Sequence, residues 1–206
     1  MKQVSEAPVP RPDAAEATVL RGALIAGLSD DEFFQFCQEN DLVRIERTAD
    51  HEISIMPPVG GDSSATNGDV YFQLALWSRR YGGRSFESSV GFYLSEGIVL
   101  SPDVSWVPAA TWARLTAQQR RKFLPVCPDF IIEVKSPSDN LKTLQAKMEQ
   151  WLQHGVRLGF LLNTETETAY VYAPGQPVQT VQGFDQELSG EPVLPGFRLD
   201  LRELKS

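Results

Sequence analysis

Pro128-Asp129-Phe130-Ile131-Ile132-Glu133-Val134-Lys135-Ser136-Pro137-Ser138-Asp139 sets a carboxylate and an amine two residues apart inside an otherwise apolar run. Phe130-Ile131-Ile132 followed by Val134 reads as a strand covered on both faces. An unpaired charge is strongly disfavoured in that setting. Successive side chains alternate across a strand, so Glu133 and Lys135 are expected to share one face, about 6–7 Å apart along it. Taken alone, the pair reads as a salt bridge at the end of an edge strand.

A second Pro-Asp changes that reading. Ser101-Pro102-Asp103-Val104-Ser105-Trp106-Val107 places an aspartate before a short alternating run, thirty residues ahead of Glu133. Pro-Asp, a connection, then Glu-x-Lys inside a strand is the arrangement of the PD-(D/E)xK nucleases. Residues 108–127 are then an insertion between two paired strands, with Trp112, Leu115 and Phe123 compatible with a short helix and Pro125 and Pro128 ending it. Asp129 also follows a proline, but it sits at the strand entry, where capping is the better role; Asp103 is preferred.

Outward from this pair the chain reads as alternating elements. Ser29-Asp30-Asp31-Glu32 has the form of a capping box ahead of a helix over residues 30–39. Residues 42–47 and 52–56 alternate around Thr48-Ala49-Asp50-His51, which predicts a hairpin. Gly60-Gly61-Asp62-Ser63-Ser64 reads as a loop, and Val70, Leu74, Trp77 and Tyr81 recur at helical spacing until Gly82-Gly83. Strands are expected over 84–94, 98–107 and 129–135. An amphipathic helix carrying Leu141, Leu144, Met148, Trp151 and Leu152 follows, stopped at His154-Gly155. Strands over 156–162 and 169–172 and a closing strand over 193–201 complete the chain. The expected fold is α/β (α+β): a restriction-endonuclease-like core, its mixed central sheet flanked by helices, with an added N-terminal helix and hairpin.

At 206 residues the chain suits one domain, assigned to 21–206, behind a flexible tail over 1–20 that carries Pro8, Pro10 and Pro12. The tail lacks the apolar and basic regions of a signal peptide, and nothing approaches the roughly 18 continuous apolar residues of a membrane span, so the cytoplasm is the expected compartment. Cys37 and Cys127 lack metal-ligand spacing and read as reduced structural thiols. His51 and His154 are the only histidines, which excludes a multi-histidine zinc centre. Any metal would be held by oxygen, as suits magnesium or manganese.

A net charge of −8 opposes nonspecific coating of nucleic acid. The stretch 112–157 is nonetheless locally basic: Arg114, Arg120, Arg121, Lys122, Lys135, Lys142, Lys147 and Arg157 outnumber Asp129, Glu133, Asp139 and Glu149. A solvated helical face would produce the same excess.

From about Leu28 to Leu201 the chain resembles the Uma-type (Uma two) family of restriction endonucleases, a branch of the PD-(D/E)xK superfamily. The resemblance is carried by Leu28-Ser29-Asp30-Asp31-Glu32-Phe33, Arg44-Ile45-Glu46-Arg47, Met56-Pro57-Pro58, Ser101-Pro102-Asp103-Val104, Cys127-Pro128-Asp129-Phe130, Glu133 to Asp139, Lys147-Met148, Gly155-Val156-Arg157-Leu158-Gly159 and Leu194-Pro195-Gly196-Phe197. It implies Asp103 and Glu133 as carboxylates binding Mg2+ or Mn2+, and Lys135 as the basic residue beside the attacking water. Many relatives have Arg or another residue at the Lys135 position, where a lysine on the following helix could substitute; Lys147 occupies that helix position here. Glu46 resembles an accessory acidic position. Asp69, with neighbouring Asn67, is the candidate for a carboxylate from the helix before the strands.

The expected activity is metal-dependent hydrolysis of DNA phosphodiester bonds. Trp112 is a candidate for stacking on a base, and Arg120, Arg121, Lys122 and Lys142 for contacting phosphates. A homodimer would place two sites on opposite strands, and a partner protein is a further expectation. The competing reading is a catalytically inactive nuclease fold that binds DNA or a partner, favoured by the acidic charge and opposed by the intact Glu133-x-Lys135 pair. A two-carboxylate glycosidase ranks last, since it leaves Lys135 without a task.

Overall fold

The computed structural model describes residues 17–94 and 97–205. The expected tail therefore lies mostly outside the described residues, but its last part is corrected: Thr18–Leu20 is a strand, β1, paired antiparallel with β3. After the short helix α1 (Ala23–Ala26) comes α2 (Asp30–Glu39), opened by the expected capping box, with Ser29 and Glu32 bonded reciprocally. β2 (Arg44–Arg47) and β3 (Ile53–Met56) form the hairpin.

α3 spans Gly61–Tyr81, so the expected loop at Gly60–Ser64 is instead helix N-terminus. The first turns of α3 bury no apolar residue; burial begins at Val70. Hydrophobic periodicity had nothing to register there. α3 ends at Gly82 and Gly83, both at positive φ. A Cβ on Gly83 would lie 2.3 Å from Trp106 Nε1, and that indole donates to the Gly82 carbonyl at 3.1 Å. Gly83→Ala is therefore expected to cost about 2–5 kcal/mol from backbone strain and overpacking, measurable as a lowered denaturation midpoint.

The two long strands expected over 84–94 and 98–107 each break in two. β4 (Arg84–Glu87) and β7 (Val104–Val107) pair with each other, whereas β5 (Phe92–Tyr93) and β6 (Val99–Leu100) belong to a different sheet. The bends fall where Glu87 accepts from the Ser89 N–H at 3.1 Å and at Ser101-Pro102, where proline supplies no ladder donor. An alternating pattern reports which face a residue takes, not which sheet its strand joins.

The insertion holds α4 (Ala109–Arg114) and a 3-10 turn (Gln119–Arg121) before β8 (Phe130–Val134), every residue of which is buried. α5 (Leu141–Gln153) is capped by Asn140 and followed by Gly155 at φ 115. It carries the chain to β9 (Leu158–Asn163), which lies parallel to β8. β10 (Thr168–Tyr172) and β11 (Gln179–Gln182) extend the sheet; β11 was not anticipated. Of the closing segment only β13 (Arg198–Asp200) is a strand, paired with β12 (Glu187–Ser189); Pro195-Gly196 precedes it as a turn and a 3-10 turn (Leu201–Leu204) follows.

Among the described residues the sheets run β1-β3-β2-β6-β5, β11-β10-β9-β8-β7-β4 and β12-β13. β8 is central to the mixed six-stranded sheet, as its apolar run demands. Its even-numbered side chains, Phe130, Ile132 and Val134, share a core with Val70, Leu74 and Trp77 of α3. Its odd side chain Ile131 packs with Met148 and Trp151 of α5 on the opposite face. A smaller core of Phe33, Ile45, Ile53 and Val99 joins α2 to the five-stranded sheet. No described helix is long and apolar enough to cross a membrane.

Candidate active site

β7 and β8 run antiparallel with Val104 opposite Ile132. One residue further along that register, Asp103 faces Glu133. Opposed side chains of neighbouring strands have Cβ atoms about 4.5–5.5 Å apart, so the ladder itself brings the two acids together. Asp103 Oδ2 accepts the Val134 N–H at 2.8 Å, which pins the carboxylate against the strand that carries Glu133. Asp103 is 7% exposed and Glu133 is 1% exposed.

The other side of the cluster comes from the five-stranded sheet. Arg44 and Glu46 alternate on β2 and therefore point the same way. Glu46 Oε1 accepts from the Ser101 N–H at 2.8 Å and from Lys147 Nζ at 2.9 Å. Arg44 Nη1 lies 2.8 Å from Asp103 Oδ1. The Ser101-Pro102-Asp103 bend, where the chain passes between the sheets, thus touches both sides of the cluster.

α5 closes the site. Lys147 Nζ stands 2.9 Å from Glu133 Oε1 and donates to the Ser101 carbonyl at 3.3 Å. Trp151, one turn later on the same helix face, donates its indole N–H to Glu133 Oε1 at 3.2 Å. Lys147 therefore bridges Glu46 and Glu133 from two different sheets.

Three buried carboxylates face two cations, so full ionisation leaves one negative charge in excess. Burial pushes the Glu133 carboxyl up to about 7; Lys147 and Arg44 oppose that rise, while Asp103 and Glu46 add to it. Lys147 is raised despite desolvation because Glu133 and Glu46 hold its proton, and Arg44 is raised by Asp103, Glu46 and Glu133. A proton or an additional cation can make up the deficit. The donors are all carboxylate oxygens, which suits a hard divalent ion. Among the described residues no three acidic or metal-ligating side chains stand gathered as a cage. The carboxylates are held instead by Lys147, Arg44, the Trp151 indole and backbone N–H groups.

Lys135 is not brought to this cluster. Its ammonium lies 2.7 Å from Glu165 Oε2 and 2.9 Å from the Ser136 carbonyl. It follows the last residue of β8, and past the strand end the alternation that would align it with Glu133 no longer holds. The lysine that meets Glu133 is Lys147. Asp69 is exposed on α3 and takes no part in the cluster. Asp129 pairs with Arg157 at 3.1 Å while its backbone carbonyl accepts from Arg157 and Leu158, the capping role expected of it.

The expected nucleic-acid contacts divide. Trp112 is half-buried, with the Arg120 guanidinium 4.6 Å from its ring centre and Phe86 at 5.7 Å. Its ring is packed between the insertion and β4 and is not an open platform. Arg120 also donates to the Trp112 carbonyl at 2.8 Å, and Lys122 is engaged by Asp31 at 2.6 Å. Arg121 and Lys142 are exposed. Cys37 and Cys127 are free, and burial raises both thiols to about 12, which leaves them inert.

Arg44 escaped the sequence reading, although its signal was present: it alternates with Glu46 across the buried Ile45. Trp151 was read as core, which it is, but its indole N–H also serves Glu133.

A solved structure of a "putative nuclease belonging to DUF820" from Anabaena variabilis superposes with a TM-score of 0.71, covering 86% of this chain and 97% of that one at 19% identity. It is a likeness of fold. A DrdV–DNA complex overlaps at a TM-score of 0.35 and 15% identity, over 59% of this chain and 12% of that one, too little to carry argument. No curated protein matches. A family model described as "Uma2: Putative restriction endonuclease" matches residues 30–202. With that match spanning most of the chain and the mixed-sheet nuclease fold beneath it, this protein belongs to the Uma2 family.

Proposed function

We propose that this protein is an endonuclease that hydrolyses DNA phosphodiester bonds with Mg2+ or Mn2+. The observation that carries the reading is the convergence of Glu46, Asp103, Glu133 and Lys147 from four separate elements on one buried cluster. Burying three carboxylates is costly, and a fold keeps such a cluster when it has a task.

Asp103 and Glu133 would hold the ion, with Glu46 as an accessory ligand. A bound divalent ion supplies Lewis acidity toward the phosphate and lowers the pKa of water. Lys147, protonated, orients the attacking water and offsets charge developing on the phosphate oxygens; as an ammonium it does not serve as the base. Trp151 fixes the Glu133 carboxylate through Oε1. Arg121 and Lys142, exposed on the insertion and at the start of α5, supply phosphate contacts along the duplex.

The test is incubation of the protein with supercoiled, linear and single-stranded DNA in magnesium, in manganese and with chelator. Nicking or linearisation of supercoiled DNA that chelator abolishes is the expected result. A second reading, a nuclease fold that binds DNA without cutting it, draws on the net charge of −8 and the absence of a ready cage among the described residues. Binding of DNA with no cleavage in either metal would establish it.

A further inference from the structure

Among the five charged side chains of the cluster, Arg44 is the most exposed. Its side chain is 28% exposed, against 14% for Lys147, 9% for Asp103, 8% for Glu46 and 2% for Glu133. It therefore covers the open side of an otherwise buried site. Its hold is on Asp103 Oδ1, while Oδ2 is taken by the Val134 N–H. The Val134 N–H is fixed by β8, whereas the Arg44 guanidinium sits at the end of a long side chain that is 28% exposed. An ion that takes Asp103 Oδ1 therefore competes with the Arg44 guanidinium, for the oxygen and through like charge.

We propose that Arg44 is a latch shared between metal and substrate: it closes on Asp103 at rest and swings to the scissile phosphate when the site is loaded. This rests on the reading of the cluster as a phosphodiesterase site. The side chain suits both positions. A guanidinium presents several N–H donors in a planar fork that matches a carboxylate and equally two non-bridging phosphate oxygens. β2 fixes the Cα of Arg44 near Glu46, so the released guanidinium stays at the exposed edge of the cluster. Linkage follows. DNA that draws Arg44 off Asp103 strengthens ion binding, and the ion strengthens DNA binding by the same factor.

Calorimetric titration of Mn2+ alone into wild type, Arg44→Met and Arg44→Lys tests the latch without reference to cleavage. Removing the competitor is expected to tighten Mn2+ binding by about 5–20-fold in Arg44→Met, in the range typical of coupling between two ligands. Arg44→Lys keeps the charge and should bind Mn2+ near the wild-type value. Both variants should cleave supercoiled DNA about 10²-fold more slowly, because neither offers the fork. Thermal melts of both establish that they fold. Unchanged or weaker Mn2+ binding in folded Arg44→Met overturns the latch, while continued metal-dependent cleavage by wild type would leave the nuclease reading intact. Absence of Mn2+ binding in wild type and both variants overturns both.

Discussion

Glu133→Gln is expected to lower metal-dependent DNA cleavage by about 10³-fold or more, since it removes an ion-binding oxygen charge from the centre of the site. The substitution leaves the scaffold in place. The amide oxygen can still accept from Lys147 Nζ and Trp151 Nε1, the two donors that now fall on Glu133 Oε1. Nor does the fold depend on the ionised acid. Burial holds the Glu133 carboxyl at about 7, above its ordinary value of 4.5. The native state therefore holds a proton that the unfolded chain gives up, and metal-free stability declines as pH rises from about 4.5 to about 7. Glu133→Gln should remove that decline, so urea unfolding of the chelated variant at pH 5 and pH 8 gives more similar midpoints than wild type. Full cleavage by a folded Glu133→Gln protein would remove Glu133 from the mechanism.

The second large effect separates the two lysines. Lys147→Met is expected to reduce cleavage by about 10²-fold or more through loss of the ammonium beside the reacting phosphate. It also leaves Glu46 and Glu133 buried without their shared cation. That should cost about 3–5 kcal/mol in the metal-free protein, part of which added Mn2+ restores if the carboxylates bind it. Lys135→Met breaks a pair in which the Lys135 side chain is 11% and that of Glu165 47% exposed, along with the bond to the Ser136 carbonyl. Its stability cost should stay within about 1–2 kcal/mol, below that of Lys147→Met, and its cleavage rate within a few-fold of wild type. The comparison is read from initial rates on supercoiled DNA together with melting temperatures in chelator and in Mn2+. Equal losses in the two variants, or a larger loss in Lys135→Met, would return the catalytic role to the Glu-x-Lys lysine.

Much of the architecture was legible from local pattern. The five consecutive buried residues of β8, the helix over 141–153 and the strand after Gly155 follow from apolar runs and periodicity. Elements without an apolar signature were not legible. The first turns of α3 lie against solvent, and β11 carries Gln179, Thr180 and Gln182 around a single valine. The divided strands at 84–94 and 98–107 show a different limit. Alternation persists through a bend, so a strand that changes sheets looks continuous.

The candidate site splits the same way. Asp103 and Glu133 were readable because they sit on sequence-adjacent strands, where an antiparallel ladder places one opposite the other by register alone. The sequence by itself singled out those two acids as candidates and determined the strand that carries Glu133 and the helix that packs across it, because each depends on spacing within a short stretch of chain. Only the tertiary structure decided that Lys147 and not Lys135 meets Glu133, and that Arg44 and Glu46 arrive from a separate sheet. Those contacts depend on where one sheet packs against another and on where a strand ends. A lysine ammonium at the end of a flexible stem goes to the carboxylate that packing brings within reach, whatever lies two residues away in the chain.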